Sequence, residues 1–371
     1  MNIIFAAGGT AGHLNPALAL AQGFKNKNPE NKILFVGTPD KIESEKVPKA
    51  GFDFTSIELR GFKRSFAPKS LWLNIVNLFK LIKAFFTSRK IIKKLKPDLV
   101  VGFGGYISYP ILSVAKKMGI KTAIHEQNSF PGVANKMLSN KVDLVMLTNS
   151  DCKDKMKIKN KAVITGLPVR EELISVSKSD ARENLGIEDE KIVILSVGGS
   201  LGASAINEVM EQLIIKKADD ENLVFLHSTG NRKAEFIKNL KENNVHINEN
   251  IRIYDYIDDM DLAMNAADVV VSRSGASSVA EIEALSKASV LIPSPYVAEN
   301  HQFFNALTLE KRNGAFLIEQ KNLTCDLLIE KLDVLINNKN LREEMGKNAN
   351  ILFNKNVVND MIYNCEKILE N

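Results

Sequence analysis

The chain has 371 residues, 45% of them hydrophobic and 25% charged, which is typical of a globular protein of two or three domains and excludes a disordered chain. Its three cysteines stand far apart without a CxxC pair, so we expect reduced thiols rather than a disulfide or zinc framework. Residues 1–170 contain 28 Lys and Arg against 11 Asp and Glu, whereas residues 171–371 contain 21 against 33, so the first half suits an anionic surface or ligand.

Four segments repeat the order of a β-branched apolar run, a Gly/Ser-rich turn and a helical pattern. In chain order they are IIFAAGGTAGHLNP, DLVVGFGGYISYP, KIVILSVGGSLGASAIN and DVVVSRSGASSVAEIEAL. Shorter apolar runs lie between them: KILFVG, TAIHEQ, LVMLT, AVITG, LVFLHST and ASVLIP. This alternation predicts an α/β fold with parallel sheets, and the continuous apolar runs indicate strands buried on both faces.

The repeated pattern restarts after TGLPVR, which indicates two Rossmann-like domains facing a cleft. We place the domains at 1–168 and 169–345, and we assign 346–371 to C-terminal helices that are able to pack back on the first domain. Open parallel sheets bind ligands at the carboxyl ends of their strands, and all four glycine turns are predicted to fall at such ends.

The first glycine turn, GGTAGH at 8–13, differs from the dinucleotide and P-loop motifs. It is not G-x-G-x-x-G, the next strand closes with Gly37 and Thr38 rather than an acidic residue, and His13 stands near the P-loop lysine position. A turn of this kind at a helix start attracts a phosphate and disfavours a charged imidazole. His13 is therefore predicted to be a neutral general base, with tight packing of the turn as the alternative.

A second polar group, His125-Glu126-Gln127-Asn128, follows the apolar run KTAI, where a strand–helix loop should face a ligand. His125 and Glu126 are the competing candidates for the general base. The alternative is a loop that satisfies its own hydrogen bonds.

The second half carries two further groups. SRSGASSVAEIEAL places small residues at a helix start and Glu281 one turn further, which suits backbone contacts to a phosphate and a carboxylate contact to ribose hydroxyls; a capping box is the alternative. ENHQ, at 299–302, could hold sugar hydroxyls. Asp259 and Asp261 are better explained as first-turn acids than as a metal pair, so we expect no bound metal or other cofactor.

Residues 59–97 contain 11 basic residues and no acidic one, and they include the apolar stretch LWLNIVNLFKLIKAFF. Leu71, Ile75, Leu78, Ile82, Phe85 and Phe86 fall on one helical face, and further apolar residues lie outside it. No stretch reaches 18 uninterrupted apolar residues, so we expect contact with the surface of an anionic membrane rather than a span. The residues assigned to membrane contact are Leu71, Trp72, Ile75, Phe79, Lys80, Lys83 and Phe86. A core helix with a basic rim is the alternative, and no nucleic-acid motif accompanies the charge.

Eight motifs occur in an order that resembles the MurG family. They are GGTAGH, GFGGYISYP, HEQNSFPGVANK, TGLPVR, GGSLGAS, YIDDM, RSGASSVAEI and HQFFNA. The resemblance covers nearly the whole chain and implies the GT-B glycosyltransferase architecture. It also implies inverting transfer of N-acetylglucosamine (GlcNAc) from UDP-GlcNAc to the C4 hydroxyl of N-acetylmuramoyl(MurNAc)-pentapeptide on undecaprenyl diphosphate (lipid I). The product is lipid II for peptidoglycan, made by a peripheral protein on the cytoplasmic face of the bacterial membrane.

The resemblance also implies roles for single residues. The donor-binding set would be Thr10, Ala11, Gly12, Asn128, Arg170, Ser200, Ile257, Ala276, Ser277, Ser278, Glu281 and Gln302. The acceptor-binding set would be Gly9, Gly104, Gly105, Tyr106 and Glu126. Two positions depart from the family pattern, since Ala11 stands for a glycine and Leu167 for an asparagine.

Three other functions fit parts of this pattern. Another GT-B glycolipid synthase, with a diacylglycerol acceptor, would share the glycine turns and the basic helix. A UDP-sugar epimerase would use the same donor without a lipid. A sugar-nucleotide-binding regulator would need no general base, so the combination of His13, Glu281 and Gln302 argues against it.

Overall fold

A computed structural model describes residues 1–61, 67–156, 158, 161–199 and 202–370. The described chain forms two compact units, residues 1–168 with 354–371, and residues 169–353. Each unit is built from strand–helix repeats around its own parallel sheet.

The first unit contains a seven-stranded parallel sheet in the order β3-β2-β1-β4-β5-β6-β7. Its elements are β1 (Asn2–Ala6), α1 (Ala11–Lys27), β2 (Lys32–Gly37), α2 (Glu43–Lys49), β3 (Asp53–Ser56), α3 (Pro68–Leu95), β4 (Leu99–Gly102), α4 (Gly105–Lys117), β5 (Lys121–Glu126), α5 (Val133–Leu138), β6 (Leu144–Leu147), α6 (Lys153–Met156) and β7 (Lys161–Ile164), with a 3-10 turn at Ser150–Cys152. The strand order reverses between β1 and β4, and the loops after these two strands open at that point.

The second unit contains a six-stranded parallel sheet in the order β10-β9-β8-β11-β12-β13. Its elements are α7 (Glu171–Ser175), α8 (Lys178–Leu185), β8 (Ile192–Val197), α9 (Ser204–Lys217), β9 (Leu223–Ser228), α10 (Lys233–Glu242), β10 (Ile251–Tyr254), α11 (Met260–Ala266), β11 (Val269–Ser272), α12 (Ala276–Ala284), β12 (Ala288–Leu291), α13 (His301–Glu310), β13 (Phe316–Leu317), α14 (Cys325–Ile336) and α15 (Lys339–Asn350), with 3-10 turns at Ala298–Asn300 and Gln320–Asn322. The order reverses between β8 and β11.

The C-terminal segment is divided between the units. Helix α15 belongs to the second unit, which extends to Phe353, beyond the sequence boundary at residue 345. The last helix, α16 (Val357–Leu369), packs on the first unit, where Met361 and Cys365 are fully buried in the cluster formed with α1 and β1. Gly23 permits this approach, because a Cβ there would stand 2.4 Å from Val358 Cγ1.

The central strands of both sheets are buried on two faces, as the continuous apolar runs predict, whereas the edge strands β3, β7, β10 and β13 are partly exposed. In β1, Ile3 and Phe5 belong to one core cluster and Ile4 and Ala6 to the cluster on the opposite side. Alternate residues of a strand point to opposite faces, so helices must cover both sides of the sheet. The predicted glycine turns follow the carboxyl ends of β1, β4, β8 and β11, which confirms their position.

Candidate active site

The glycine loops after β1 and β4 meet at the point where the strand order of the first sheet reverses. Gly104 and Gly105 have φ of 87° and 74°, which favour glycine. A Cβ on Gly105 would stand 2.8 Å from the Gly8 carbonyl oxygen, and a Cβ on Gly104 would stand 3.1 Å from His13 Nε2. Both loops therefore approach each other through positions that admit no side chain, and the His13 ring lies beside them.

His13 lies in the first turn of α1, which begins after Thr10 and has no acidic residue in that turn. Its Nδ1 is 3.2 Å from the Gly8 carbonyl oxygen and 3.1 Å from Thr10 Oγ1. A carbonyl oxygen only accepts hydrogen bonds, so the contact with Gly8 is a hydrogen bond when Nδ1 carries the ring proton, and the Thr10 hydroxyl can then accept from the same atom. The lone pair is then on Nε2, the atom next to Gly104, in the state that a general base requires.

His125 is fully buried in β5, and its Nε2 lies 2.9 Å from the Gly166 carbonyl oxygen. Burial lowers the pKa of His125 to about 4, while the hydrogen bond to Gly166 opposes that shift. The ring is thus neutral at pH 7 but enclosed. A general base must reach the proton that it removes, so His125 is a poorer candidate than His13.

Glu126 is 2% exposed and accepts hydrogen bonds from four N–H groups of the loop that follows it and of α5. They are the backbone and side-chain N–H groups of Asn128, the backbone N–H of Gly132 and the side-chain N–H of Asn135, at 2.8–3.2 Å. Each oxygen receives two of them. The carboxylate therefore orders this loop, as expected for a loop that satisfies its own hydrogen bonds. Since both oxygens already accept two hydrogen bonds, neither is placed to take a proton from a substrate.

The predicted acceptor residue Tyr106 follows Gly105 and is 59% exposed. Its ring packs over Gly61, whose carbonyl oxygen accepts a hydrogen bond of 3.1 Å from Asn77 Nδ2 of α3. This contact places the phenol between the β4 glycine loop and the start of the basic segment.

A cavity of about 680 Å³ opens in the second unit at the carboxyl ends of β8, β11 and β12. Its described walls are formed by Gly198, Gly199, Gly202, Ala203, Ser204, Ala205, Glu208, Arg273, Gly275, Ser278, Ser294, Tyr296, Gln302 and Gln320. Gly202 has a φ of 73°, and a Cβ there would stand 2.4 Å from the Thr229 carbonyl oxygen. The cavity lies where the strand order of the second sheet reverses, the usual ligand position of such sheets.

The N-terminus of α12 adjoins this cavity. Gly275 precedes the helix without a side-chain cap, and the first turn, which begins with Ala276, Ser277 and Ser278, contains no acidic residue. The first N–H groups of a helix have no partner within it and carry partial positive charge. This end of α12 is therefore suited to a phosphate, and Ser278 lines the cavity wall.

Two of the predicted donor residues come together behind that helix end. Glu281 Oε1 lies 3.7 Å from Arg170 Nη2, and the side chains are 21% and 49% exposed. Burial raises the pKa of Glu281, and the positive charge of Arg170 opposes that rise. The Glu281 carboxylate can accept hydrogen bonds from ribose hydroxyls, and the Arg170 guanidinium beside it remains accessible to water.

Gln302 is the second residue of α13 and lines the cavity, and its Oε1 accepts the Ser294 backbone N–H at 2.8 Å. That bond fixes the amide plane and directs its NH2 group as the donor. Arg273, which the sequence reasoning did not select, also lines the cavity. Its Nη1 donates to the carbonyls of Ile292 and Pro293, and its Nη2 donates to Gln320 Oε1 at 2.6 Å. No described carboxylate forms an ion pair with it, so its charge remains for an anionic ligand.

The other predicted donor residues are distributed as follows. Ile257 is 5% exposed and packs in the core of the second unit. Ser200 lies outside the described residues. Thr10, Ala11, Gly12 and Asn128 belong to the first unit. Ala11 is helical, so its methyl group is tolerated, and Leu167 is 3% exposed.

Helix α3 exposes most of the apolar residues that were assigned to membrane contact. Trp72, Phe79 and Phe86 are 65%, 68% and 67% exposed, and Ile75, Leu78 and Ile82 are also exposed. The helix packs on the core mainly through Ala84, Ser88 and Ile92, together with Phe85. Phe85 is therefore partly buried, unlike the other described residues of the predicted apolar face, because the small residues Ala84 and Ser88 let the helix lie close to the core. The Leu71 side chain lies outside the described part.

Lys80 of α3 lies 3.8 Å from Glu58, whereas Lys83 is exposed. Among the described helices, none is long and apolar enough to cross a membrane. In the same part of the chain, no group of three or more His, Cys, Asp or Glu side chains is arranged to hold a metal ion.

Comparison with known proteins relates both units to one family. The models of the glycosyltransferase family 28 N-terminal and C-terminal domains match residues 3–147 and 193–361. The UDP-N-acetylglucosamine--N-acetylmuramyl-(pentapeptide) pyrophosphoryl-undecaprenol N-acetylglucosamine transferase of Acetivibrio thermocellus is 42% identical over 94% of this chain and 93% of its own length. The protein of that name from Clostridioides difficile is 41% identical over 98% of this chain and 88% of its own length.

Solved structures show the same relation. The crystal structure of Acinetobacter baumannii MurG matches with a TM-score of 0.79 at 28% identity and covers 99% of both chains. A UDP-GlcNAc 2-epimerase from Neisseria meningitidis, bound to UDP-GlcNAc, matches with a TM-score of 0.68 at 14% identity over 100% of both chains. The second likeness concerns the fold alone.

Proposed function

The chain belongs to the MurG family of GT-B glycosyltransferases, and we propose on that premise that it transfers GlcNAc from UDP-GlcNAc to the C4 hydroxyl of lipid I. The full-length identity to relatives of that name carries this proposal. Support also comes from the cavity of the second unit, which Arg273 and the N-terminal turn of α12 line, and from the Glu281–Arg170 pair further along that helix.

The donor binds in the second unit. Its diphosphate lies at the N-terminus of α12 and the glycine turn after β8, where backbone N–H groups and Arg273 face the cavity. Glu281 accepts hydrogen bonds from the ribose hydroxyls, and the amide of Gln302 contacts the hydroxyls of the GlcNAc. When UDP leaves, the negative charge that develops is stabilised by these donors and by Arg170, without a metal.

The acceptor diphosphate binds at the glycine loops of the first unit, around the N-terminus of α1 and Gly104 and Gly105. The C4 hydroxyl attacks C1 of GlcNAc while His13 Nε2 removes its proton. The bond from C1 to the UDP oxygen breaks on the opposite face, and the electron pair leaves with UDP, so the configuration inverts. A base at this position typically contributes roughly 10²–10⁴ in rate.

Membrane contact belongs to α3, whose exposed Trp72, Phe79 and Phe86 suit the headgroup region of a lipid layer. Lys83, Arg89 and Lys90 are exposed on the same helix and favour an anionic surface. This location brings the chain to an acceptor whose undecaprenyl tail is held in the membrane, on the cytoplasmic face of the cell.

The decisive assay is incubation of the purified protein with labelled UDP-GlcNAc and a lipid I analogue, with and without a chelator. We expect label in the lipid product in both cases. A diacylglycerol acceptor used in preference to the lipid I analogue would identify another glycolipid synthase. Conversion of UDP-GlcNAc without any lipid would identify an epimerase, and either result would overturn the proposal.

A further inference from the structure

A fully buried carboxylate lies beneath the first glycine loop. Glu43, at the start of α2, is 0% exposed. Its Oε2 accepts the Gly9 backbone N–H at 3.1 Å. Its Oε1 accepts the backbone N–H and the hydroxyl of Thr38 at 2.9 and 2.6 Å. Burying a carboxylate is unfavourable unless donors satisfy it, and here three donors do so.

The surrounding backbone leaves room for this carboxylate through two glycines. A Cβ on Gly8 would stand 2.6 Å from Glu43 Oε1, and a Cβ on Gly37 would stand 2.5 Å from Glu43 Cγ. Neither glycine has a positive φ, so conformational freedom does not explain them. Close approach of the Glu43 side chain to the loop does.

The bond to Glu43 acts on the peptide group that contacts His13. The Gly9 N–H and the Gly8 carbonyl belong to one planar peptide unit, so they point in opposite directions. The N–H faces Glu43, and the carbonyl oxygen lies 3.2 Å from His13 Nδ1. Fixing one end of this peptide fixes the other, and hydrogen bonds in series polarise one another.

We infer that Glu43 is a positioning residue for His13, acting through the Gly8–Gly9 peptide. The carboxylate holds the Gly9 N–H, the Gly8 carbonyl then holds the Nδ1 proton of the imidazole, and Nε2 keeps the lone pair that takes the acceptor proton. The peptide performs the part that a directly bonded carboxylate performs in a Ser-His-Asp triad. This inference rests on the proposed role of His13 as general base.

In this geometry the Gly9 N–H points away from a bound acceptor. Because that group faces the buried carboxylate, it is not directed at an acceptor phosphate. The acceptor diphosphate would then be held by the N–H groups at the start of α1 and by the β4 loop, rather than by Gly9.

The first test is spectroscopic and uses the unmodified protein. The chain has five histidines, so long-range 15N–1H correlation spectra of histidine-labelled protein can be assigned by substituting each in turn. We expect the neutral His13 ring to carry its proton on Nδ1. A ring protonated on Nε2 in the wild-type protein would overturn the inference, whatever any variant does.

The second test uses Glu43→Gln in the lipid I transfer assay. A glutamine has one acceptor oxygen, so the two Thr38 donors and the Gly9 N–H can no longer all be satisfied. We expect the Nδ1-protonated population of His13 to fall and kcat to drop about 10- to 100-fold, as for other partners that orient a functional histidine. UDP affinity should hold, because the donor cavity lies in the second unit.

Thr38→Val is the matched control, because it removes one hydrogen bond to the same buried carboxylate but leaves the Gly9 contact. It should keep kcat near the wild-type value. In a His13→Ala background, Glu43→Gln should cost no further activity, since residues that act as a unit are not additive. An equal loss with and without His13 would overturn the inference. If His13→Ala alone keeps kcat, the proposed general base is wrong, a result distinct from failure of the Glu43 contact.

Discussion

Replacement of Glu281 tests the donor site most sharply, because the side chain combines partial burial with a specific partner. Its carboxylate is 21% exposed and lies 3.7 Å from Arg170, which is 49% exposed. In Glu281→Ala, water can solvate the remaining arginine, so the loss reports chiefly the ribose contact. A hydrogen bond to a charged group contributes roughly 1.5–3 kcal/mol, and each 1.4 kcal/mol is a tenfold change in Kd. We therefore expect UDP to bind about 10- to 100-fold more weakly.

Calorimetric titration with UDP measures this change directly, and Glu283→Gln provides a control on the same helix. Glu283 is 6% exposed, and burial raises its pKa to about 8. It is therefore mostly protonated at pH 7, and the amide replaces a neutral carboxyl of the same shape. The control should retain UDP affinity. Unchanged UDP affinity in Glu281→Ala, with the fold intact, would refute the assignment of Glu281 to the ribose.

Three further predictions follow from the described contacts. Each basic residue near an anionic membrane contributes about 1 kcal/mol, so changing Lys83, Arg89 and Lys90 to Glu should lower sedimentation with anionic vesicles at least about tenfold; equal wild-type binding to neutral vesicles would contradict this. Gly104→Ala places a Cβ 3.1 Å from the imidazole of the proposed base at a φ of 87°, so kcat should fall while UDP affinity holds; unchanged kcat would contradict it. Burial lowers the pKa of His227 to about 4, so the folded state is progressively destabilised, by about 3 kcal/mol in all, as pH falls from about 6.5 to 4. His227→Gln should flatten Tm against pH in that range, and an unchanged slope would contradict it.

The central strands and the glycine turns that follow them could be predicted because their signals are local. Apolar runs such as IIFA and VVVS are buried on both faces, and each is followed by glycines. The strands β3, β10 and β13, which the apolar runs did not predict, lie at sheet edges. Their sequences, DFTS, IRIY and FL, are short or half-exposed, so they lack the continuous apolar character that marks a central strand.

The residues that the sequence did not select act through distant contacts. Glu43 follows a polar loop and resembles an ordinary first-turn acid, and only the fold brings it beneath Gly8 and Gly9. Arg273 stands inside a recognised motif, but its charge matters because the carbonyls after β12 hold its guanidinium at the cavity. Helix α15 belongs to the second unit and α16 to the first. Their sequences do not predict this difference, because both helices are amphipathic and only packing distinguishes them.

The most direct measurement of the whole account is the kcat of His13→Ala for transfer of labelled GlcNAc to a lipid I analogue at saturating UDP-GlcNAc. We expect lipid-dependent transfer by the wild-type protein and a loss of roughly 10²–10⁴ in the variant, with UDP affinity unchanged. A variant that keeps near-normal kcat, or that loses only donor affinity, would contradict the assignment of His13 as the base that activates the acceptor.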